Sequence, residues 1–271
     1  MILQNFDKEL TDNAQRFVIK NIEHAALAAK LAENFGNQDF EVPEPRDKLL
    51  DLITHHDHGW LQIDEAPPIN EIDGLPFNLV HTPFQFILKS SKGSPDFNEK
   101  RSDFTGLLSS MHTCGLYNGR YGLSDAINLD WIPEACRDEV DLMLAFEMER
   151  QTRLKEKLKS SELGDNKLIF RAYKFLQFVD ACALYFNINP AGQRGQAKFL
   201  NVPLSLHEDC DIELIECDKG LYQFSPYPFK LERFSLHFEG RYLKAGELSP
   251  EATTYSALDK VERQNIEITL N

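Results

Sequence analysis

The apolar residues of this chain change their spacing at Pro190, and that change limits the folds open to it. Before Pro190 they recur every three or four residues, as on one face of a helix. Beyond it they alternate, as in a strand with one buried side. Residues 22–34 set Ala25, Ala26, Leu27, Ala29 and Leu31 at helical spacing and stop at Gly36-Asn37. Residues 46–56 repeat the pattern with Leu49, Leu50, Leu52 and Ile53 and run out at Gly59. Further helices are expected over 104–114, closed by Gly115, over the long and heavily charged stretch 133–158, and over the more apolar 166–187. Between them, residues 67–93 are broken by Pro67-Pro68, Asp73-Gly74, Pro76 and Pro83, and read as loop with one short helix after Pro83. After Pro190, residues 212–216, 220–224, 234–238 and 266–270 read as short strands, and 17–19 as a first strand. The expected architecture is mainly α. A helical bundle over residues 20–190 forms one unit with a small antiparallel β subdomain, built from residues 200–271 and the N-terminal strand.

An apolar content of 42% is enough for a real core, and no apolar run approaches the ~20 residues needed to cross a bilayer. The net charge of −14 argues against binding nucleic-acid backbones or anionic lipid surfaces. The first sixteen residues lack the apolar stretch of a secretory signal. Five scattered cysteines, with no CxxC pair, make a disulfide framework or thiolate zinc site an unattractive reading and point to a reducing cytoplasm. A small molecule is the expected partner.

Chemistry concentrates in the histidines and two aspartates. His56-Asp57-His58-Gly59 ends an expected helix, His24 lies near the start of another, and Asp180 sits inside the apolar run Leu176-Gln177-Phe178-Val179-Asp180-Ala181-Cys182-Ala183-Leu184. A buried carboxylate in such a helix needs a partner, because an unpaired buried charge costs more than a domain's stability margin. A divalent cation is one such partner, and neutral imidazole and carboxylate are its preferred N and O donors. The candidate ligands are His24, His56, Asp57, His81, His112 and Asp180, and all but the His-Asp pair come from separate elements. Helical bundles build metal centres in this way. Singly, each has an ordinary reading: His24 and His112 as bonded core residues, Asp180 as a partner of Arg171 or a tyrosine, and His81 as a loop residue.

Together, His24…His56-Asp57…Asp180 resembles the H…HD…D signature of the HD superfamily of metal-dependent phosphohydrolases. That resemblance implies a helical bundle with its ligands on separate helices. His81 and His112 are similar to the two extra ligands of binuclear members, which include phosphodiesterases and diiron oxygenases. The Gly-Tyr-Pro of HD-GYP proteins is missing, so cyclic-di-GMP hydrolysis is not expected. His24-Ala25-x-Leu27, Leu31-Ala32-Glu33-Asn34-Phe35-Gly36-Asn37, His56-Asp57-x-Gly59-Trp60, Pro67, Gly74-x-Pro76-Phe77, Ser110-Met111-His112-Thr113-Cys114-Gly115-Leu116-Tyr117 and Pro226-Tyr227-Pro228-Phe229 carry a closer resemblance. Over nearly the whole chain they resemble the bacterial DUF3891 family, which has no established activity.

One or two ions of Fe, Mn, Co, Ni or Zn suit this donor set. A bound cation lowers the pKa of water and polarises a phosphoryl oxygen, and His58 or His112 is the candidate general acid. Tyr117, Arg120 and Trp60 are candidates for substrate contact, with Trp60 also suited to core packing. The leading expectation is an HD-type hydrolase of a small phosphorylated metabolite or nucleotide. A diiron oxygenase of a small polar substrate and a metal-stabilised ligand-binding scaffold stand beside it.

Overall fold

The computed structural model describes residues 1–5, 8–9, 14–124, 132–248 and 257–271. Its helices are α1 (Asn21–Asn34), α2 (Arg46–His55), α3 (Leu61–Glu65), α4 (Phe84–Arg101), α5 (Asp103–Gly115), the one-turn α6 (Gly119–Gly122), α7 (Arg137–Leu158) and α8 (Asn166–Ile188). Its strands are β1 (Ile2–Leu3), β2 (Gln15–Ile19), β3 (Ile69–Asn70), β4 (Leu75–Pro76), β5 (Gln196–Pro203), β6 (Asp209–Asp218), β7 (Leu221–Ser225), β8 (Phe234–Lys244) and β9 (Gln264–Leu270).

The alternation after Pro190 does form strands, but they join a larger sheet than the sequence suggests. Seven strands lie in the order β1-β2-β8-β9-β7-β6-β5, while β3 and β4 form a separate pair. The last strand enters the middle of the sheet, antiparallel to β8 and parallel to β7. β2 continues the sheet from the other end of the chain, with Val18 opposite Arg241. The expected mainly helical bundle with a small antiparallel β subdomain is therefore corrected. Half of the chain is helical and 22% is strand, in a curled mixed sheet. The cause is non-local pairing, which short alternating runs do not announce.

The sheet shares its core with the helices. Ile212, Leu214, Phe224, Phe238 and Ile268 are buried in one cluster with Leu27 and Leu31 of α1 and Phe178, Val179, Cys182 and Phe186 of α8. Burial of a large apolar side chain contributes about 1.5–3 kcal/mol, so this shared layer holds α1 and α8 side by side. Arg241, fully buried on β8, donates to Glu23 at 2.6 Å and to the Leu258 carbonyl at 2.9 Å. Glu23 also accepts from the Lys20 backbone N–H at 3.0 Å, which fixes the start of α1 to the sheet.

α4 is the element the sequence understated, because Gly93 and Pro95 lie inside it. Both are accommodated by close packing. Pro95 has no N–H to give the Ser91 carbonyl, and the Thr113 hydroxyl of α5 donates there instead at 3.3 Å. Gly93 lets the helix approach the turn after α2, where a Cβ would sit 3.1 Å from the Gly59 Cα. Asn98 then ties α4 to that turn by donating to the His55 carbonyl at 3.0 Å. No helix among the described residues is long and apolar enough to cross a membrane.

Candidate metal centre

Three elements bring two imidazoles onto one carboxylate. His24 on α1 is buried, with Nδ1 2.9 Å from Asn187 Oδ1 and Nε2 2.9 Å from Asp180 Oδ1. His56 follows the last turn of α2, and its Nδ1–H donates to the Ile53 carbonyl at 2.8 Å. Its Nε2 lies 3.5 Å from Asp180 Oδ1 and 3.7 Å from Asp57 Oδ2, buried and without a hydrogen-bond partner. A carbonyl oxygen only accepts, so both Nδ1 atoms carry a proton, and each ring, when neutral, presents an Nε2 lone pair. Lone pairs aimed at a carboxylate repel unless a proton or a cation lies among them.

The donor set fits a cation. Neighbouring ligands bonded at about 2.1 Å lie roughly 3.0–3.5 Å from one another, close to the 2.9 and 3.5 Å that separate His24 and His56 from Asp180, and all three donor atoms lie within 4.8 Å of one another. A second group, His56, Asp57 and His112, also has its donor atoms within 4.8 Å of one another. His112 comes from α5 and packs edge-on to His56, with ring centroids 5.3 Å apart. Its Nδ1 lies 2.8 Å from Gln177 Nε2, which leaves Nε2 for the cluster.

The charges show how strongly this place favours a positive group. Burial works against a charged His56, yet Asp57 and Asp180 overcome it and raise its pKa to about 9. Burial also opposes ionisation of Asp180, but His24, 2.9 Å away, and His56, whose positive charge faces it, hold its carboxyl well below the usual range. His112 goes the other way. Burial, reinforced by His56, lowers it to about 4 against the pull of Asp180, so it is neutral near pH 7.

Gly59 is required by the same geometry. A Cβ there would lie 2.9 Å from the carbonyl carbon and Cα of Ser90 and closer still to its oxygen. The Gly59 N–H donates to Ser94 Oγ at 2.9 Å, so the His-Asp turn rests directly on the backbone of α4.

The cluster forms the floor of a cavity of about 230 Å³. Trp60, Leu79, Val80, Phe84, Ile87, Leu116 and Leu184 give it apolar walls, and Ser90, Ser91, Ser94, Thr113 and Tyr117 supply neutral polar groups. No Lys or Arg is among the described residues that line it. Tyr117 is buried, with its hydroxyl 3.3 Å from Ser91 Oγ.

Not every candidate residue is brought here. His58 stacks on Phe97, with centroids 3.4 Å apart and planes at 13°, and does not line the cavity. His81 is exposed at the end of a short turn and lines a different recess with Arg16 and Asn78. Arg120 lines a third recess, with Lys174 and Lys198. Two residues that orient the centre were not singled out from sequence, Asn187 and Gln177. Asn187 lies seven residues after Asp180, two turns along the same face of α8, and that spacing was the available signal.

Residues 9–245 match the family described as "Protein of unknown function (DUF3891)". The chain belongs to this DUF3891 family. No curated protein and no solved structure matches it.

Proposed function

We propose that this DUF3891 protein is a metal-dependent hydrolase of the HD type, with one divalent transition-metal ion held by His24, His56, Asp57 and Asp180. The observation that carries the reading is the buried, unpartnered Nε2 of His56, facing Asp180 and Asp57 beside a second imidazole whose Nδ1 is also engaged. The order His24…His56-Asp57…Asp180, which resembles the HD signature, supports it. One ion suits the cluster better than two, because His81 lies at another recess. The cation would supply Lewis acidity, lowering the pKa of water and polarising a substrate oxygen.

The chain's own groups set the rest. His112, neutral near pH 7, faces the cluster through Nε2, and Gln177 at its Nδ1 sets which ring nitrogen carries the proton. The neutral polar groups Ser91, Thr113 and Tyr117 orient the substrate, and the apolar walls exclude water around the reacting group. A small phosphorylated metabolite or nucleotide fits if its phosphoryl group lies at the floor and a largely apolar or uncharged body lies against the walls. No described wall residue is a Lys or Arg, which disfavours a polyphosphate.

The same apolar wall also favours a second reading, in which iron at this centre supports oxygenation of an uncharged substrate. The test is a panel of phosphomonoesters, phosphodiesters and nucleotides, assayed with metal-loaded protein beside Asp180→Ala. Hydrolysis that needs the metal and vanishes in the variant supports the proposal. Metal-dependent oxygen uptake without hydrolysis favours the second reading, and neither activity across the panel contradicts both.

A further inference from the structure

Four consecutive residues, Gly119, Arg120, Tyr121 and Gly122, have φ of 68°, 53°, 57° and 88°. α6 is therefore one turn of left-handed helix. Glycine adopts that region freely, but Arg120 and Tyr121 are L-residues whose Cβ crowds the backbone there. Asn118 Oδ1 accepts from the Tyr121 N–H at 3.1 Å, and the Tyr121 hydroxyl donates to Gln151 Oε1 at 3.1 Å, so Tyr121 is accounted for. Arg120 forms no ion pair with a carboxylate among the described residues. Strained backbone of this kind persists where the surroundings enforce it and often marks a functional position.

Arg120 lines a recess of about 310 Å³ with Lys174, Lys198, Gln177 and Asn201. Lys174 is paired with Asp209, and Lys198 with Asp211 at 3.0 Å, which leaves Arg120 as the one of the three with no carboxylate partner among the described residues. No carboxylate is among the described lining residues, in a chain whose net charge is −14. Gln177 is 5% exposed and its Oε1 is buried without a partner. Its position on α8 lies between the face carrying Lys174 and Ala181, on this recess, and the face carrying Asp180 and Leu184, on the metal cavity.

We propose that this recess binds the oxyanion group of a small metabolite, a phosphate or a carboxylate, with Arg120 as the main donor and Gln177 as its link to the metal centre. The guanidinium offers paired donors to such a group. If the Gln177 amide turns over, its NH2 serves the anion and its Oε1 accepts from His112 Nδ1–H. His112 Nε2 then becomes a lone pair available to a cation. Anion and cation thus favour the same amide orientation, and each raises the affinity for the other. The link rests on the proposed metal site; the anion site does not.

Metal-free protein titrated with inorganic phosphate, and separately with acetate, is the first arm, read by calorimetry. Saturable binding is expected, and the tighter of the two identifies the oxyanion. Arg120→Gly removes the cation and relieves the left-handed strain, so Tm should stay level or rise while affinity falls about tenfold or more. No saturable binding of either anion, or binding unchanged in Arg120→Gly, overturns the proposal. The second arm repeats the phosphate titration on metal-loaded wild type and Gln177→Leu. Tighter binding on metal loading is expected in the wild type and not in Gln177→Leu. Equal gains in both overturn the Gln177 link. A wild type that takes up no metal yet binds phosphate contradicts the metal reading while supporting the recess.

Discussion

Gly59→Ala should disable the centre without touching any ligand. Its Cβ would stand 2.9 Å from the carbonyl carbon and Cα of Ser90, where ordinary contacts begin at 3.4 Å, and nearer still to the oxygen. The atoms it meets belong to the α4 backbone, so no side chain can swing aside, and the turn must part from α4 by more than half an ångström. Forced overpacking of this kind costs about 1–3 kcal/mol, a drop of several degrees in Tm for a chain of this size. The larger effect falls on the cation, because ligand distances tolerate only about 0.2 Å. His56 and Asp57 precede Gly59 directly, and a tenfold or greater loss of metal affinity is expected. Gly93→Ala is the graded control. Its Cβ meets the Gly59 Cα at 3.1 Å, which needs a shift of only a few tenths of an ångström. Thermal melts and metal titrations of both variants should rank wild type, then Gly93→Ala, then Gly59→Ala. A Gly59→Ala protein with wild-type Tm and metal affinity would refute the reasoning, as would the reverse order of the two variants.

Other consequences are independent of that turn. Asn187→Leu removes the acceptor that fixes His24 Nδ1–H, and metal affinity should fall roughly 10–100-fold in a competition titration with a chromogenic chelator. His81→Ala should leave metal content per chain unchanged, since the structure holds His81 at a separate recess. In the metal-free protein His56 titrates near 9 when folded against 6.5 in the unfolded chain. The proton on its ring therefore adds stability that is fully present below pH 6.5 and is lost as pH rises through about 9, on the order of 3 kcal/mol. Denaturant melts from pH 6 to 10 in chelator should show that fall, and melts of the metal-loaded protein should not, because a ligated His56 stays neutral.

Much of the helical scaffold was legible because its elements are local. The run Leu49, Leu50, Leu52, Ile53 ends at the His-Asp turn in the sequence as it does in α2. The stretch from Leu176 to Leu184 marks α8 and the carboxylate within it. α4 was legible only as a short helix after Pro83, because its continuation through Gly93 and Pro95 depends on contact with Gly59 and Thr113. The sheet was understated for a related reason. Strands such as Gln264–Leu270 reveal their burial, but not that they enter between β7 and β8. At the site, residue type was enough to nominate His24, His56, Asp57, His112 and Asp180 as a possible group. It could not separate them from His81 or His58, whose surroundings are set by residues far along the chain. Gln177 and Asn187 have no metal-ligand chemistry of their own, and their contacts appear only once α8 packs against α1 and α5.

Whether His24, His56, Asp57 and Asp180 hold a divalent cation is tested most directly by metal per chain. Mass spectrometry on protein purified without chelator and then reconstituted gives that count, beside Asp57→Ala and Asp180→Ala variants whose melts show them folded. The expected result is about one equivalent of a transition metal in the wild type and little in either variant. No metal after reconstitution, or the same metal content in the folded variants, would contradict it.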